Sequence, residues 1–225
     1  MKSPAFSGSE MTQQQAILLS TATFPPIQFF SKFLLFEKVF IEQHENFTKQ
    51  TYRNRYEISG ANGIISLIVP VVKGRGRNIK IRDLRISYDT EWQRNHWRTI
   101  FSAYNSSPFF KFYEDDLYPF FNEKWKFLFD FNLKIIELIC ELLEIETFPE
   151  LTGNFEEIPE NTLNFREALS PKKHRAAPDF QFNPQPYTQV FEERHGFMPN
   201  LSILDLLFNE GPNSLNILEV SKQEL

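Results

Sequence analysis

Residues 16–44 constrain the fold more than any other part of the sequence, because strand-like and helix-like patterns alternate there. Residues 16–20 (Ala-Ile-Leu-Leu-Ser) form a short apolar run with the length of a buried strand. The helix predicted over 25–36 opens with two prolines, which fit a first turn because its N–H groups lack helical partners. Residues 39–44 form the next predicted strand. This order predicts a parallel strand pair with a right-handed connection.

A β-hairpin is predicted next, because Asn62-Gly63 lies between two apolar stretches. Residues 52–58 alternate between two faces. One face carries Tyr52, Asn54, Tyr56 and Ile58, and the other carries Arg53, Arg55 and Glu57. Since a hairpin adds antiparallel strands, we predict one α/β domain with a mixed β-sheet built from residues 16–86.

Packed helices are predicted over 25–36, 90–106 and 120–145. From residue 147 to residue 198 the periodicity disappears and prolines recur, which predicts a long Pro-rich loop before a short C-terminal helix at 203–208. The polar residues 1–15 are predicted to be a flexible arm. The domain is therefore expected to span residues 16–212, followed by a tail at 213–225.

Composition excludes several classes of protein. The net charge of −5 argues against a DNA-binding protein, and a single cysteine excludes an internal disulfide scaffold and a four-cysteine zinc site. No run of about 18 apolar residues predicts a membrane span, and no secretory leader is recognised, so a cytoplasmic location is expected. With 25 phenylalanines among 225 residues, aromatic packing is expected to dominate the core.

Basic residues are concentrated in the middle of the chain. Residues 49–98 hold eleven Lys/Arg against four Asp/Glu, whereas residues 113–160 hold three against thirteen. If the hairpin forms, five basic side chains can converge on one anion, helped by the glycines that follow Lys73: Arg53, Arg55, Lys73, Arg75 and Arg77. The expected ligand is a nucleotide-sugar or another phosphate-bearing small molecule; a solvated, ligand-free sheet face is the alternative. No cofactor is identified by the sequence.

Two histidines are candidates for a general base. His44 directly follows a predicted strand and precedes Asn46, although a surface histidine before a turn has the same pattern. His96 shares a helix with Arg94, and that helix ends at Tyr104 and Asn105; packing is again the alternative. The first helix carries Gln28 and Lys32 four residues apart, so both side chains can reach one cleft.

Glu114 and Asp116 resemble the acidic pair with which glycosyltransferases hold a metal and a sugar diphosphate, but a helix start with acidic residues is the favoured interpretation. The chain has no phosphate-loop, dinucleotide-binding or nucleophile-elbow motif. The four histidines show no metal-binding spacing, and Cys140 lies on an apolar helix stripe, which indicates a core residue.

Several blocks of the sequence together resemble the WbqC-like family. These blocks are 25–32 (Pro-Pro-Ile-Gln-Phe-Phe-Ser-Lys), 42–55 (Glu-Gln-His-Glu-Asn-Phe-Thr-Lys-Gln-Thr-Tyr-Arg-Asn-Arg), 92–97 (Trp-Gln-Arg-Asn-His-Trp), 104–110 (Tyr-Asn-Ser-Ser-Pro-Phe-Phe) and 197–211 (Phe-Met-Pro-Asn-Leu-Ser-Ile-Leu-Asp-Leu-Leu-Phe-Asn-Glu-Gly). Many members carry Gln-Pro-Asn-Tyr-Leu-Pro-Trp where this chain has residues 21–27, so its substrate choice is expected to differ.

The resemblance implies a role in bacterial O-antigen or surface-polysaccharide synthesis, with aminoacyl (glycine) transfer to an activated sugar as the suggested reaction. For that reaction His44 and His96 are base candidates, Asn54 and Asn105 could stabilise an oxyanion, and Arg53 and its neighbours could bind phosphate. A non-catalytic adaptor with protein partners in a polysaccharide-synthesis complex, and a metal-dependent sugar-nucleotide transferase, are the alternatives. RNA binding lacks a recognisable module.

Overall fold

The computed structural model describes residues 15–72, 79–155, 158, 161–172 and 174–223. At its centre is a sheet of four parallel strands: β1 (Ala16–Ser20), β2 (Lys38–Glu42), β5 (Pro149–Leu151) and β6 (Thr162–Asn164). Their spatial order is β5-β2-β1-β6. β1 has β2 on one side and β6 on the other, with Leu18 opposite Phe40 and Asn164. A strand with neighbours on both sides and buried faces is mostly apolar, as β1 is from Ala16 to Leu19.

The predicted strand–helix–strand unit is present. Helix α1 (Ile27–Leu35) connects β1 to β2, and Pro26 stands at its N-cap in an extended conformation. Phe29, Phe30 and Phe33 are buried, so the helix packs its aromatic face into the core. The parallel pairing of β1 and β2 follows the prediction.

The Asn62-Gly63 hairpin also forms, from β3 (Arg55–Gly60) and β4 (Gly63–Ile68), which pair antiparallel. The domain is α/β with parallel and antiparallel strands, but the two kinds of pairing occur in separate sheets. The hairpin does not extend the parallel sheet, because β5 and β6 occupy the positions beside β2 and β1. The prediction that residues 16–86 build one mixed sheet is therefore wrong on one point, because the parallel and antiparallel strands lie in different sheets.

The helices differ from prediction where side-chain packing interrupts them. α2 (Trp92–Tyr104), α3 (Phe110–Leu117), α4 (Pro119–Asn122) and α5 (Leu128–Leu142) follow the hairpin. The helix predicted over 120–145 is split because the chain is extended at Glu123 and Phe127, where Phe127 makes a β-bridge to Arg85. At the end of the region from which the sheet was predicted, the chain forms a 3-10 turn at Ile81–Asp83 flanked by isolated bridges.

The segment 147–198 is less irregular than predicted, because it supplies β5, β6 and the short helix α6 (Glu192–His195). Helix α7 (Ile203–Glu210) matches the predicted C-terminal helix. The chain does not become a loose tail after residue 212, because helix α8 (Ser214–Ser221) follows and packs on α1. Among the described residues, no helix has the length and apolar character needed to cross a membrane.

Aromatic rings form much of the core, as the phenylalanine content predicts. Phe24 is completely buried, and its ring centroid lies 5.0 Å from that of Tyr56 and 5.4 Å from that of Phe121, with which it stacks. Its φ of 38° is unusual for a residue other than glycine. This aromatic centre holds the segment that follows β1 in place, and the candidate site begins at that segment.

Candidate functional site

All four parallel strands deliver polar residues to their carboxyl ends. Glu42, the last residue of β2, accepts hydrogen bonds from the Thr152 hydroxyl (3.0 Å) after β5 and from the Arg166 guanidinium (2.9 Å) after β6. The backbone N–H of His44 donates to the same carboxylate at 2.7 Å. Glu42 is completely buried, so these three donors replace the water that its charge would otherwise bind.

Arg53 is the centre of a second group of contacts at this edge. Its Nε and Nη2 donate to the two carboxylate oxygens of Glu45 at 2.8 and 2.6 Å, a bidentate pair. Nη2 also donates to Glu167 (2.8 Å) and to the Ser20 hydroxyl (2.7 Å) at the end of β1. Burial raises the pKa of Glu45, although its hydrogen bonds with Arg53 act in the opposite direction.

A cleft with a volume of about 380 Å³ opens over these ion pairs. It is lined by Glu45, Asn46, Phe155, Asn164, Arg166, Glu167 and Ala168. The Arg166 guanidinium lies 4.7 Å from the Phe155 ring centroid, and Arg166 Nε donates to Asn164 at 3.0 Å. The Glu167 side chain is 62% exposed, so its carboxylate is accessible from the cleft.

The position of this cleft is the one in which open α/β sheets bind ligands. The chain continues from β1 to β2 on one side of β1, whereas β6 lies on its other side. Open α/β sheets bind ligands beyond the carboxyl ends of the strands at the point where the strand order reverses in this way. A smaller pocket of about 20 Å³ adjoins the end of β1 and shares Arg166 with the cleft. It has room for about one water-sized group.

Three predicted site residues lie at this edge: His44, Asn46 and Arg53. Asn46 is exposed and lines the cleft, whereas Arg53 lies beneath it. The Nε2 atom of His44 is buried and has no hydrogen-bond partner among the described residues. His44 is not among the residues that line the cleft.

Gln28 and Lys32 both contact the carboxylate of Asp179. Lys32 Nζ lies 2.6 Å from Asp179 Oδ2, and Gln28 Nε2 donates to the same oxygen at 2.7 Å. Burial lowers the pKa of Lys32, opposed by the charge and hydrogen bond of Asp179. Asn200 completes this group through two hydrogen bonds with Gln28, so the contacts tie α1 to the later half of the chain.

Three other predicted residues are buried away from the cleft. His96 Nδ1 lies 3.0 Å from the Tyr56 hydroxyl, and burial lowers the pKa of His96 to about 4. The Tyr104 hydroxyl donates to Asp205 at 2.7 Å, and the Asn54 side chain donates to the Val69 carbonyl at 2.9 Å. Each of these side chains holds two parts of the fold together.

The remaining predicted residues are dispersed. Arg94 and Asn105 are exposed on α2, and Arg94 is ion-paired with Glu91 at 3.3 Å. Arg55 is partly buried, and its Nε has no hydrogen-bond partner in the described part of the chain. Arg53 and Arg55 do not share the face of one strand, because Tyr52–Asn54 form a 3-10 turn and β3 begins only at Arg55. Lys73, Arg75 and Arg77 lie outside the described residues, as do the neighbouring glycines.

The acidic residues Glu114 and Asp116 both lie on helix α3. Glu114 is bonded to Lys111 at 2.6 Å, and Asp116 is exposed. Within the described ranges, no group of three His, Cys, Asp or Glu side chains is arranged to hold a metal ion. Cys140 is buried, and burial raises the pKa of its thiol to about 12, as expected for a core residue.

Sequence reasoning missed most of the polar residues at the sheet edge. Those missed are Ser20, Glu42, Glu45, Thr152, Asn164, Arg166 and Glu167. Position near the end of a strand was the available signal for Glu42 and Glu45, which lie on either side of the predicted His44. No such signal marked Asn164 or Arg166, because β6 has only three residues and lies among prolines.

Comparison with known proteins finds a family match that covers most of the chain. The sequence profile of the WbqC-like protein family matches residues 21–174 and 172–217, which include strands β2 to β6, the residues that line the cleft, and helix α7. An uncharacterized protein of Mycobacterium tuberculosis is 27% identical over 222 residues, covering 89% of this chain and 93% of that protein. No solved structure matches the chain significantly.

Proposed function

The chain belongs to the WbqC-like protein family, and from that premise we propose that it is a transferase that modifies a sugar in the cleft at the sheet edge. The reaction we favour moves an aminoacyl group, such as glycyl, onto an activated sugar during surface-polysaccharide synthesis in the cytoplasm. The observation that carries the proposal is the cleft itself, where an accessible carboxylate lies beside a fixed guanidinium.

The lining of the cleft suits a polyhydroxylated ring. Asn46 offers amide donors and acceptors, and Glu167 offers a carboxylate oxygen that Arg53 does not use. Phe155 is about half exposed and can contact the apolar face of a sugar ring. Arg53 and Arg166 are already paired with carboxylates, so the cleft favours a hydroxyl-bearing group over a phosphate.

Glu167 is the best-placed proton acceptor for this reaction. An acceptor hydroxyl or amine would attack the acyl carbon, pass its proton to Glu167, and release the donor's leaving group with the bonding electron pair. Glu45 is less suited, because Arg53 and Ser20 occupy its oxygens. His96 is less suited because it contacts Tyr56 in the core. The Asn46 amide could stabilise the oxyanion.

Thermal unfolding with a ligand panel tests the proposal. The panel holds UDP-, dTDP- and GDP-sugars, coenzyme A, ATP with glycine, and a glycyl-adenylate analogue, each with and without magnesium. A ligand at a hundred times its dissociation constant should stabilise the fold by about 2.7 kcal/mol and raise Tm by about 5–10 °C. A sugar-nucleotide shift that Asn46→Ala removes is the expected result.

The Glu167→Gln variant separates binding from chemistry. It should keep the sugar-nucleotide shift but lower the rate of acyl transfer by about 10²–10⁴-fold, the usual contribution of a general base. Glu137→Gln, in an exposed helical ion pair with Lys134, is the matched control and should leave both unchanged. If no panel compound raises Tm, the transferase proposal fails and the adaptor interpretation, tested by pull-down, replaces it.

A further inference from the structure

A second cleft, with a volume of about 410 Å³, lies between the turn of the hairpin and helix α2. Its walls are the turn between β3 and β4 and one face of α2. The side chains that define its chemistry are Ile64, Ile65, Arg98, Thr99, Ser102 and Phe191. It shares no lining residue with the cleft at the sheet edge. The size lies within the range of small-molecule sites.

Arg98 is the only charged residue among those that line this cleft. It is exposed, and it makes no ion pair with any residue in the described ranges. Arg94, one turn earlier on the same helix, is paired with Glu91. Arg98 therefore leaves an uncompensated positive charge in this cleft, unlike Arg53 and Arg166 at the sheet edge.

The opposite wall is apolar. Ile64 is 56% exposed, and Ile65 and Phe191 are partly buried. Ser102 is exposed next to Arg98 on the helix face, because residues four apart lie one above the other. The His195 ring lies 3.0 Å from the Ala61 carbonyl, which fixes the segment carrying Phe191 against the hairpin turn. Apolar residues and one cation thus line the same cleft.

We propose that this cleft binds a small organic carboxylate with an apolar body. A guanidinium binds a carboxylate through two parallel hydrogen bonds, and the Ser102 hydroxyl can add a third. The apolar body would lie on Ile64 and Phe191 and remove their surface from water. A single Arg fork fits one carboxylate better than a phosphodiester or polyphosphate, which usually meets several cations.

Fluorine NMR with 4-fluorophenylacetate as the probe tests this proposal. The fluorine signal should broaden on adding the wild-type protein, and titration gives the dissociation constant. The uncharged isostere 4-fluorophenylacetamide should bind at least about tenfold more weakly, because it lacks the charge that Arg98 recognises. Arg98→Gln should weaken the binding of 4-fluorophenylacetate by a similar factor, and Ile64→Ser should weaken the binding of both probes.

Arg82→Gln is the matched control, since Arg82 is also exposed on the surface but lies outside the cleft; it should bind like the wild type. Circular dichroism confirms that each variant is folded. The proposal is overturned if the wild-type protein does not broaden the signal, if Arg98→Gln binds as tightly as the wild type, or if the amide binds as tightly as the acid. Sugar-nucleotide binding at the sheet edge is measured separately and decides none of these outcomes.

Discussion

Arg53 is the residue on which the charge balance of the candidate site depends most. Its side chain is 3% exposed and contacts two carboxylates and a hydroxyl. Without it, Glu45 would be a buried charge whose side chain keeps, among the described residues, only the Ser20 hydroxyl as a hydrogen-bond partner. A buried ion pair adds little stability compared with an apolar pair of similar volume. Removing one member is strongly destabilising, because the other charge is left buried without its partner.

Arg53→Gln is therefore expected to lower the free energy of unfolding by about 3–5 kcal/mol. Urea unfolding followed by circular dichroism gives this value. Arg82→Gln removes an exposed arginine whose contact with Asp83 is 3.8 Å, and should change the free energy by about 1 kcal/mol or less. Equal losses in the two variants would contradict the interpretation that burial sets the cost at Arg53.

His96 should make the fold sensitive to mild acid. Burial lowers its pKa to about 4, whereas an unfolded histidine titrates near 6.5. Between these values the unfolded chain binds a proton that the folded chain does not, so the free energy of unfolding decreases as the pH falls. The loss between pH 6.5 and pH 4 is roughly 3 kcal/mol.

The measurement compares urea unfolding of the wild type and His96→Gln from pH 7.5 to pH 4. The difference between the two proteins should shrink as the pH falls, because only the wild type carries this group. Other titrating groups, such as Glu45 and Asp205, whose pKa values burial raises, are common to both proteins. Parallel curves over the whole range would show that His96 does not titrate abnormally.

At the scale of elements, tertiary contacts decide which weak segments become ordered. α8 lies in the segment that the sequence predicts as a tail, yet Leu218 is completely buried where α8 packs on α1 and α7. β5 and β6 have three residues each and would not persist alone. They are strands because they complete the pairing of β2 and β1.

Leu218→Ala tests whether α8 is part of the core. Creating a cavity at a fully buried leucine is expected to cost about 2–5 kcal/mol. Val220→Ala, two residues later on the same helix at a position that is 61% exposed, should change the free energy of unfolding by less than about 0.5 kcal/mol. Guanidinium unfolding distinguishes these outcomes. Similar small effects for both would mean that α8 detaches without loss of the fold.

At the scale of the whole molecule, stability should be graded from the parallel sheet to the hairpin. β1 is bonded on both sides and buried on both faces, whereas β4 pairs only with β3 and exposes Ile64 and Ile68. Elements with few buried contacts open locally, and central strands exchange their amide protons only when the entire domain unfolds.

Native-state hydrogen exchange by NMR checks this gradient. The amides of Leu18 and Leu19 should exchange with the free energy of global unfolding. The amides of Ile65 and Leu67, which face β3 in the register of the hairpin, should exchange with a lower free energy and with little dependence on urea, as local openings do. If the hairpin amides are as strongly protected as those of β1, then the two sheets unfold as one unit.

Local patterns in the sequence determined the elements whose stabilising contacts are close along the chain. The β1–α1–β2 unit and the Asn62-Gly63 hairpin follow from apolar runs, prolines and a turn dipeptide, and the structure has both. The aromatic core follows from the phenylalanine content. The expected position of a ligand site, at the carboxyl end of β1, follows from the order of these elements.

Only the tertiary structure decided how the sheet is completed and which charges meet at its edge. Leu18 pairs with Asn164, and Glu42 binds Arg166, 124 residues away. Three-residue strands carry no periodicity, and the partner of a charge depends on which distant segment is folded against it. For the same reason Arg53 is not free to bind an anion: Glu45 and Glu167 neutralise it, whereas Arg98 lines a cleft without an ion pair among the residues that the structure describes.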